Sequence, residues 1–114
     1  MITEERVLDF IRSFGVDRGS EALHMIEKEA VRDDVPIIRK ETGELLRILL
    51  QIKKPERILE VGAAIGFSSV FMGENTGKNT HITTIENYEK RIPIARENFR
   101  RAGKEDKITP VSYT

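Results

Sequence analysis

The sequence predicts an α/β fold: helices at the N-terminus, then the first half of a doubly wound parallel sheet with strand order 3-2-1. Three observations predict it. Arg57-Ile58-Leu59-Glu60-Val61 is a short, mostly apolar run that passes into a glycine-bearing turn and a helix start, as a buried parallel strand and its crossover helix do. A second strand, His81-Ile82-Thr83-Thr84-Ile85-Glu86, follows that helix. A third begins near Ile108, after another helix, and is still running at Thr114. Strands alternating with helices at this spacing read as parallel βαβ units.

The elements follow in order. Residues 3–14 carry Val7, Leu8, Ile11 and Phe14 at amphipathic helix spacing, with Thr3 as the cap and Gly15 as the stop. Ser20 opens a second helix with Leu23, Ile26 and Ala30 on one face. Pro36 breaks the chain. A third helix runs to about Gln51, with Ile38, Leu45, Leu46, Leu49 and Ile52 as its apolar core face, and Pro55 closes it. Strand one spans 57–61, its helix about 67–76, and strand two 81–86. The next helix, 88–102, buries Ile92, Ala95 and Phe99. Pro93 fits its first turn, where a missing N–H does little harm, and Gly103 stops it. Pro110 cannot donate to a ladder, which suits strand three to the edge of the sheet. No internal repeat or low-complexity segment is present. Residues 1–54 read as an N-terminal helical segment and 55–114 as an α/β half-domain, one structural unit overall.

Composition bounds the function. The 114 residues make one small domain at most. The 19 basic residues match the 19 acidic ones, so the whole chain has no electrostatic footprint for nucleic acid or an anionic membrane. The chain has no cysteine, which excludes a disulfide framework, a zinc ribbon and a thiol nucleophile. No apolar run approaches a bilayer span, and Met1-Ile2-Thr3-Glu4-Glu5-Arg6 does not read as a signal peptide. A cytoplasmic protein is the expectation.

Ligands of open α/β sheets bind outside the carboxyl ends of the strands. Glu60 and Gly62 lie there on strand one, and Glu86 on strand two. An acid about twenty residues past the glycine turn suits the two hydroxyls of a ribose. Together these positions describe a site for an adenosine-containing cofactor. The loop Gly62-Ala63-Ala64-Ile65-Gly66 fits a pyrophosphate-binding G-x-G-x-x-G poorly, which disfavours a nicotinamide-dependent oxidoreductase. No Gly-Lys-Ser/Thr follows, so a P-loop fits worse. Simpler roles stand beside each of these. Glu60 can be a solvated strand-end acid, Glu86 a helix cap before Asn87, and Ser68 and Ser69 caps at a helix start. His24 reads as a surface residue and His81 as structural. Arg100, Arg101 and Lys104 sit at a helix C-terminus, where the dipole favours cations without any nucleic acid.

The stretch Ile58-Leu59-Glu60-Val61-Gly62-Ala63-Ala64-Ile65-Gly66-Phe67-Ser68-Ser69 resembles the first motif of class I S-adenosylmethionine-dependent methyltransferases. It is similar in particular to the catechol/caffeoyl-coenzyme A O-methyltransferase branch, whose motif runs E-[IV]-G-x-x-x-G-[YF]-S. Bacterial members, including tRNA 5-hydroxyuridine methyltransferases, are the nearest in pattern. Val35-Pro36-Ile37-Ile38, Thr84-Ile85-Glu86 and Ala95-Arg96-Glu97-Asn98-Phe99 extend the resemblance to roughly residues 20–112.

The resemblance implies S-adenosyl-L-methionine as cofactor and a hydroxyl of a small molecule or tRNA nucleoside as acceptor. Glu60 would position the methionine amine, and the Gly62 backbone and Ala63 would pass close to the cofactor. Ser68 would hydrogen-bond the methionine carboxylate, Glu86 would take the ribose hydroxyls, and Ile38 would line the pocket. Ala63 replaces the Thr or Val common in the motif. The full family fold has seven strands and about twice this length, and its second half carries the magnesium ligands and most of the acceptor pocket. The expectation is therefore the cofactor-binding N-terminal half, with no catalytic or metal residue of its own, inactive alone and homodimeric or otherwise self-associating. The alternative is a non-catalytic methyltransferase-fold interaction protein.

Overall fold

Glu21–Arg32 (α2) forms where the sequence caps a helix. Ser20 is extended, its Oγ accepts from the Leu23 N–H at 3.1 Å, and Leu23, Ile26 and Ala30 are buried on one face. Its companions are α1 (Glu4–Ser13), α3 (Lys40–Lys53), α4 (Phe67–Glu74) and α5 (Ile92–Arg101), with strands β1 (Arg57–Val61), β2 (His81–Glu86) and β3 (Ile108–Ser112). The computed structural model describes residues 4–13 and 19–112. Thr3, Phe14 and Gly15, expected to bound the first helix, lie outside the described residues, as do the side chains of Leu8 and Ile11.

The sheet is parallel, in the order β1-β2-β3. This is the expected 3-2-1 half, with Pro110 on the edge strand. Glu60 pairs with Thr84 and Val61 with Ile85 across β1 and β2, while Ile82 pairs with Ile108 across β2 and β3. One face carries Ile58, Glu60, Ile82, Thr84 and Ile108 towards the helices. Ile82 and Ile108 there join Val70, Ala95, Phe99, Ile26 and Leu50 in one core. Each of the larger side chains contributes about 1.5–3 kcal/mol on burial. The opposite face carries Leu59 and Val61, which are 67% and 74% exposed.

Glu74 ties the helical layer together. Its carboxylate accepts from the Ser20 N–H at 3.0 Å and the Ser20 hydroxyl at 2.6 Å, at the N-terminus of α2 where negative charge is favoured. α3 ends in left-handed Lys54 (φ 48°) just before Pro55. Its buried residues are Gly43 and Leu50, with Leu46 packed beside them. Leu45, Leu49 and Ile52, expected in the core, are instead exposed. α3 carries two apolar stripes, and the one with Leu46 and Leu50 packs into the core, on the side where Gly43 faces the Phe71 ring. α5 starts four residues later than expected and buries Asn98 beside Ala95 and Phe99, with Ile92 half-buried.

Candidate functional site

Between β1 and α4 the chain takes a turn that L-residues resist. Gly62 and Gly66 both have φ 94°, and Ala64 between them has φ 48°. Hydrogen bonds hold the turn. The Gly62 and Ala63 N–H groups donate to the Ile85 carbonyl at 2.7 and 3.2 Å, and the Gly66 N–H donates to the Ala63 carbonyl at 2.8 Å. The two glycines differ in what surrounds them. A Cβ on Gly66 would sit 2.6 Å from Phe99 Cε1, whereas a Cβ on Gly62 would meet nothing within 4 Å. Gly66 makes room for α5. Gly62 leaves its room open.

That open space belongs to a cleft of about 250 Å³ whose walls are Pro36, Ile37 and Ile38 on one side and residues 62–65, Phe67 and Ser68 on the other. A larger hollow of about 600 Å³ lies at the opposite end, around Lys54, Pro55, Glu56 and residues 74–80, before the first residues of β1 and β2. The smaller cleft is the candidate site, because it lies at the carboxyl end of β1, where open α/β sheets hold ligands. Ile38, Gly62, Ala63 and Ser68, all expected at the site, line it together.

The two acids stand behind the cleft rather than free in it. Glu60 accepts hydrogen bonds from the hydroxyls of Ser68 and Ser69 and, at 2.6 Å, from Thr84. It is therefore not a solvated strand-end acid. Ser68 and Ser69 do not cap α4, contrary to the sequence expectation: the cap position is Gly66, and both hydroxyls turn back to Glu60. Thr84, fully buried, escaped the sequence reading as a partner of the site. Its signal is the strand register, which sets Thr84 beside Glu60. Removing the hydroxyl donor by Thr84→Val is expected to cost about 1.5–3 kcal/mol, the range for a hydrogen bond to a charged group. Urea denaturation checks this, and a loss below 0.5 kcal/mol, roughly the surface-substitution range, would contradict it.

Glu86 Oε1 accepts from the Ala64 N–H at 2.8 Å and Oε2 from the Tyr88 N–H at 2.9 Å. It is not the cap of α5, where Arg91 occupies that position. Burial pushes its carboxyl up, but the N–H groups of Tyr88, Ala64 and Asn87 and the charge of Arg91 outweigh this and hold it below the ordinary value. Its link to Ala64 couples the end of β2 to the glycine turn.

The remaining polar residues are largely engaged in structure. His81 Nε2 lies 2.7 Å from Thr109 Oγ1 across the strands. His24 is half-buried beside Gly19 rather than on the open surface. In the basic cluster at the end of α5, Arg100 pairs with Glu97 and Arg101 with Glu29. Among the described residues no three His, Asp or Glu converge into a possible metal site. The described residues thus do not fit the divalent cation that the resemblance implies. Among the described residues, too, no helix is long and apolar enough to cross a membrane.

These features define a parallel α/β protein whose first βα turn opens into a cleft. The family model described as O-methyltransferase matches residues 14–112, and the chain belongs to that family. It is similar to catechol O-methyltransferase of Mycobacterium tuberculosis, 30% identical over 74 residues, covering 65% of this chain and 34% of that protein. It is also similar to protein-L-isoaspartate O-methyltransferase of Methanosarcina mazei, 34% identical over 55 residues, covering 48% of this chain and 23% of that protein. The fold matches the O-methyltransferase from Bacillus cereus in complex with SAH, with a TM-score of 0.78 at 24% identity, covering 93% of this chain and 49% of that one. The chain thus spans about a third of the catechol relative and about half of the solved structure.

Proposed function

We propose that this chain carries the cofactor-binding part of an S-adenosylmethionine-dependent O-methyltransferase acting on a hydroxyl of a small molecule or a tRNA nucleoside. The observation that carries the reading is the open space above left-handed Gly62 in a cleft walled by Ile38, Ala63 and Ser68. Family membership and the SAH complex of the Bacillus cereus protein support it. When bound, S-adenosylmethionine supplies an electrophilic methyl group on a sulfonium centre. Gly62 and Ala63 give the backbone approach, and Ile38 packs against the bound molecule from the opposite wall. A carboxylate has about four lone-pair sites. Glu86 uses up to three on the backbone N–H groups of Ala64, Tyr88 and Asn87, leaving at least one for the ribose hydroxyls. Glu60 uses three on hydroxyls, leaving one for the methionine amine. Ser68, at the rim, is free to turn its hydroxyl to the methionine carboxylate while Ser69 and Thr84 keep Glu60 bonded. The division into a helical segment, 1–54, and a cofactor-binding α/β part, 55–114, and a cytoplasmic location, belong to the same reading.

Calorimetric titration tests it. S-adenosylhomocysteine (SAH) is expected to bind and NAD is not. Binding of NAD in preference, or no binding of SAH, overturns the proposal.

Self-association is part of the proposal and rests on a separate observation. Leu59 and Val61 leave an apolar sheet face open, and among the described residues β1 pairs on one edge only, with β2. Such an edge and face template another chain. Light scattering over a dilution series is expected to show concentration-dependent association at micromolar concentration, reduced by Leu59→Lys with Val61→Lys. A monodisperse parent monomer would count against it. The same face favours a second reading, a non-catalytic interaction protein, which SAH binding separates from the first.

A further inference from the structure

We infer that Asn98 is a positioning residue for the Gly62–Gly66 turn, held in its working orientation from α2 through Arg101 and Glu29; this rests on reading the cleft as the cofactor site. Asn98 lies on α5, is 3% exposed, and is not part of the cleft wall. Its Nδ2 donates to the Ile65 carbonyl at 2.6 Å, and its Oδ1 accepts from Arg101 Nη2 at 2.6 Å. A guanidinium only donates and a carbonyl only accepts, so one orientation of the amide satisfies both neighbours. Arg101 in turn grips Glu29 with both terminal nitrogens, at 3.1 and 2.5 Å. Hydrogen bonding to Arg101 holds the Glu29 carboxyl below its ordinary value, so the pair is charged at neutral pH. Arg101 Nε is buried without an acceptor, which leaves the guanidinium committed to these two partners.

The Ile65 carbonyl and the Gly66 N–H belong to one planar peptide unit. Asn98 pins its oxygen, and the Ala63 carbonyl, at 2.8 Å, pins its N–H. The Ala63 carbonyl shares a peptide unit with the Ala64 N–H, which is held by Glu86. A continuous run of hydrogen bonds therefore leads from Glu29 through Arg101, Asn98 and two peptide planes to the carboxylate proposed to read the ribose. The next residue, Phe99, presses on Gly66 from the same helix. α5 thus sets the turn at two successive side chains, one polar and one steric. An asparagine that only filled the core would not need its amide aimed at the turn.

The test uses Asn98→Asp, which keeps an acceptor for Arg101 but loses the donor to Ile65, and Glu29→Gln, which loosens Arg101 from α2. SAH affinity is measured by calorimetry. Amide exchange of residues 62–66 is measured by mass spectrometry against that of β2, residues 81–86. For Asn98→Asp, SAH affinity is expected to fall about tenfold, the equivalent of one lost hydrogen bond. Exchange at 62–66 should quicken while that of β2 holds. Glu29→Gln should move both readouts the same way, by about two- to fourfold. Unchanged exchange in the turn, equal quickening of turn and β2, or unchanged affinity in a parent that binds SAH overturns the inference. If the parent binds no SAH, the proposed function falls, while the exchange comparison still decides the role of Asn98. If Asn98→Asp does not fold, Glu29→Gln decides by the same readouts.

Discussion

Gly66→Ala is expected to destabilise the fold by about 2–5 kcal/mol, the sum of a left-handed backbone penalty and an overpacking cost. The new Cβ would lie 2.6 Å from Phe99 Cε1 and 3.3 Å from two further ring carbons. Phe99 is 2% exposed, so its ring can yield only by moving within the core. Gly62→Ala shares the φ of 94° but meets no neighbour within 4 Å. Its stability cost is expected to be only about 1–2 kcal/mol, the backbone part alone. Its effect falls on binding instead, because the methyl group enters the cleft, and SAH affinity should be lost. Urea midpoints with unchanged slope measure the first effect and calorimetry the second. Equal destabilisation by the two substitutions would contradict the separate roles given to these glycines.

Glu86→Ala is expected to weaken SAH binding by about 1.5–3 kcal/mol, roughly ten- to 150-fold. On the proposed reading the loss has two sources: the ribose hydroxyls lose their acceptor, and the Ala64 N–H loses the carboxylate bonded to it. Unchanged affinity in the variant, with binding in the parent, would remove Glu86 from the site. The pH dependence follows from its depressed carboxyl. A folded-state value below the ordinary 4.5 means that the ionised form favours folding. That contribution is complete above pH 4.5 and is lost as pH falls through the lower folded-state value. Glu86→Gln should lack this part of the acid limb, as thermal melts across pH would record.

Local pattern in the chain determined β1 and β2 to the residue, because short runs rich in β-branched and apolar residues between turn-forming residues depend only on near neighbours. The limits 57–61 and 81–86 coincide with β1 and β2. The buried face of α2 was equally legible, since Ser20, Leu23, Ile26 and Ala30 state a cap and a period of 3.6. The glycine turn and Glu86 marked the end of the sheet where the cleft lies. On α3 the pattern was ambiguous. Two apolar stripes satisfy the same period, and only the packing of α3 against the rest of the fold chose between them, burying Gly43 and Leu50.

The site's interior was decided by tertiary structure alone. Glu60 meets Thr84 across 24 positions of sequence, and Asn98 meets the Ile65 carbonyl across 33. Ser68 and Ser69 looked like helix caps, as hydroxyls at a helix start usually do. Glu60, brought beneath the first turn of α4, took them instead. Periodicity says which residues of a segment point together. Which distant segment they meet is settled by strand register and helix packing, and the hydrogen-bond partners of buried side chains follow from that meeting.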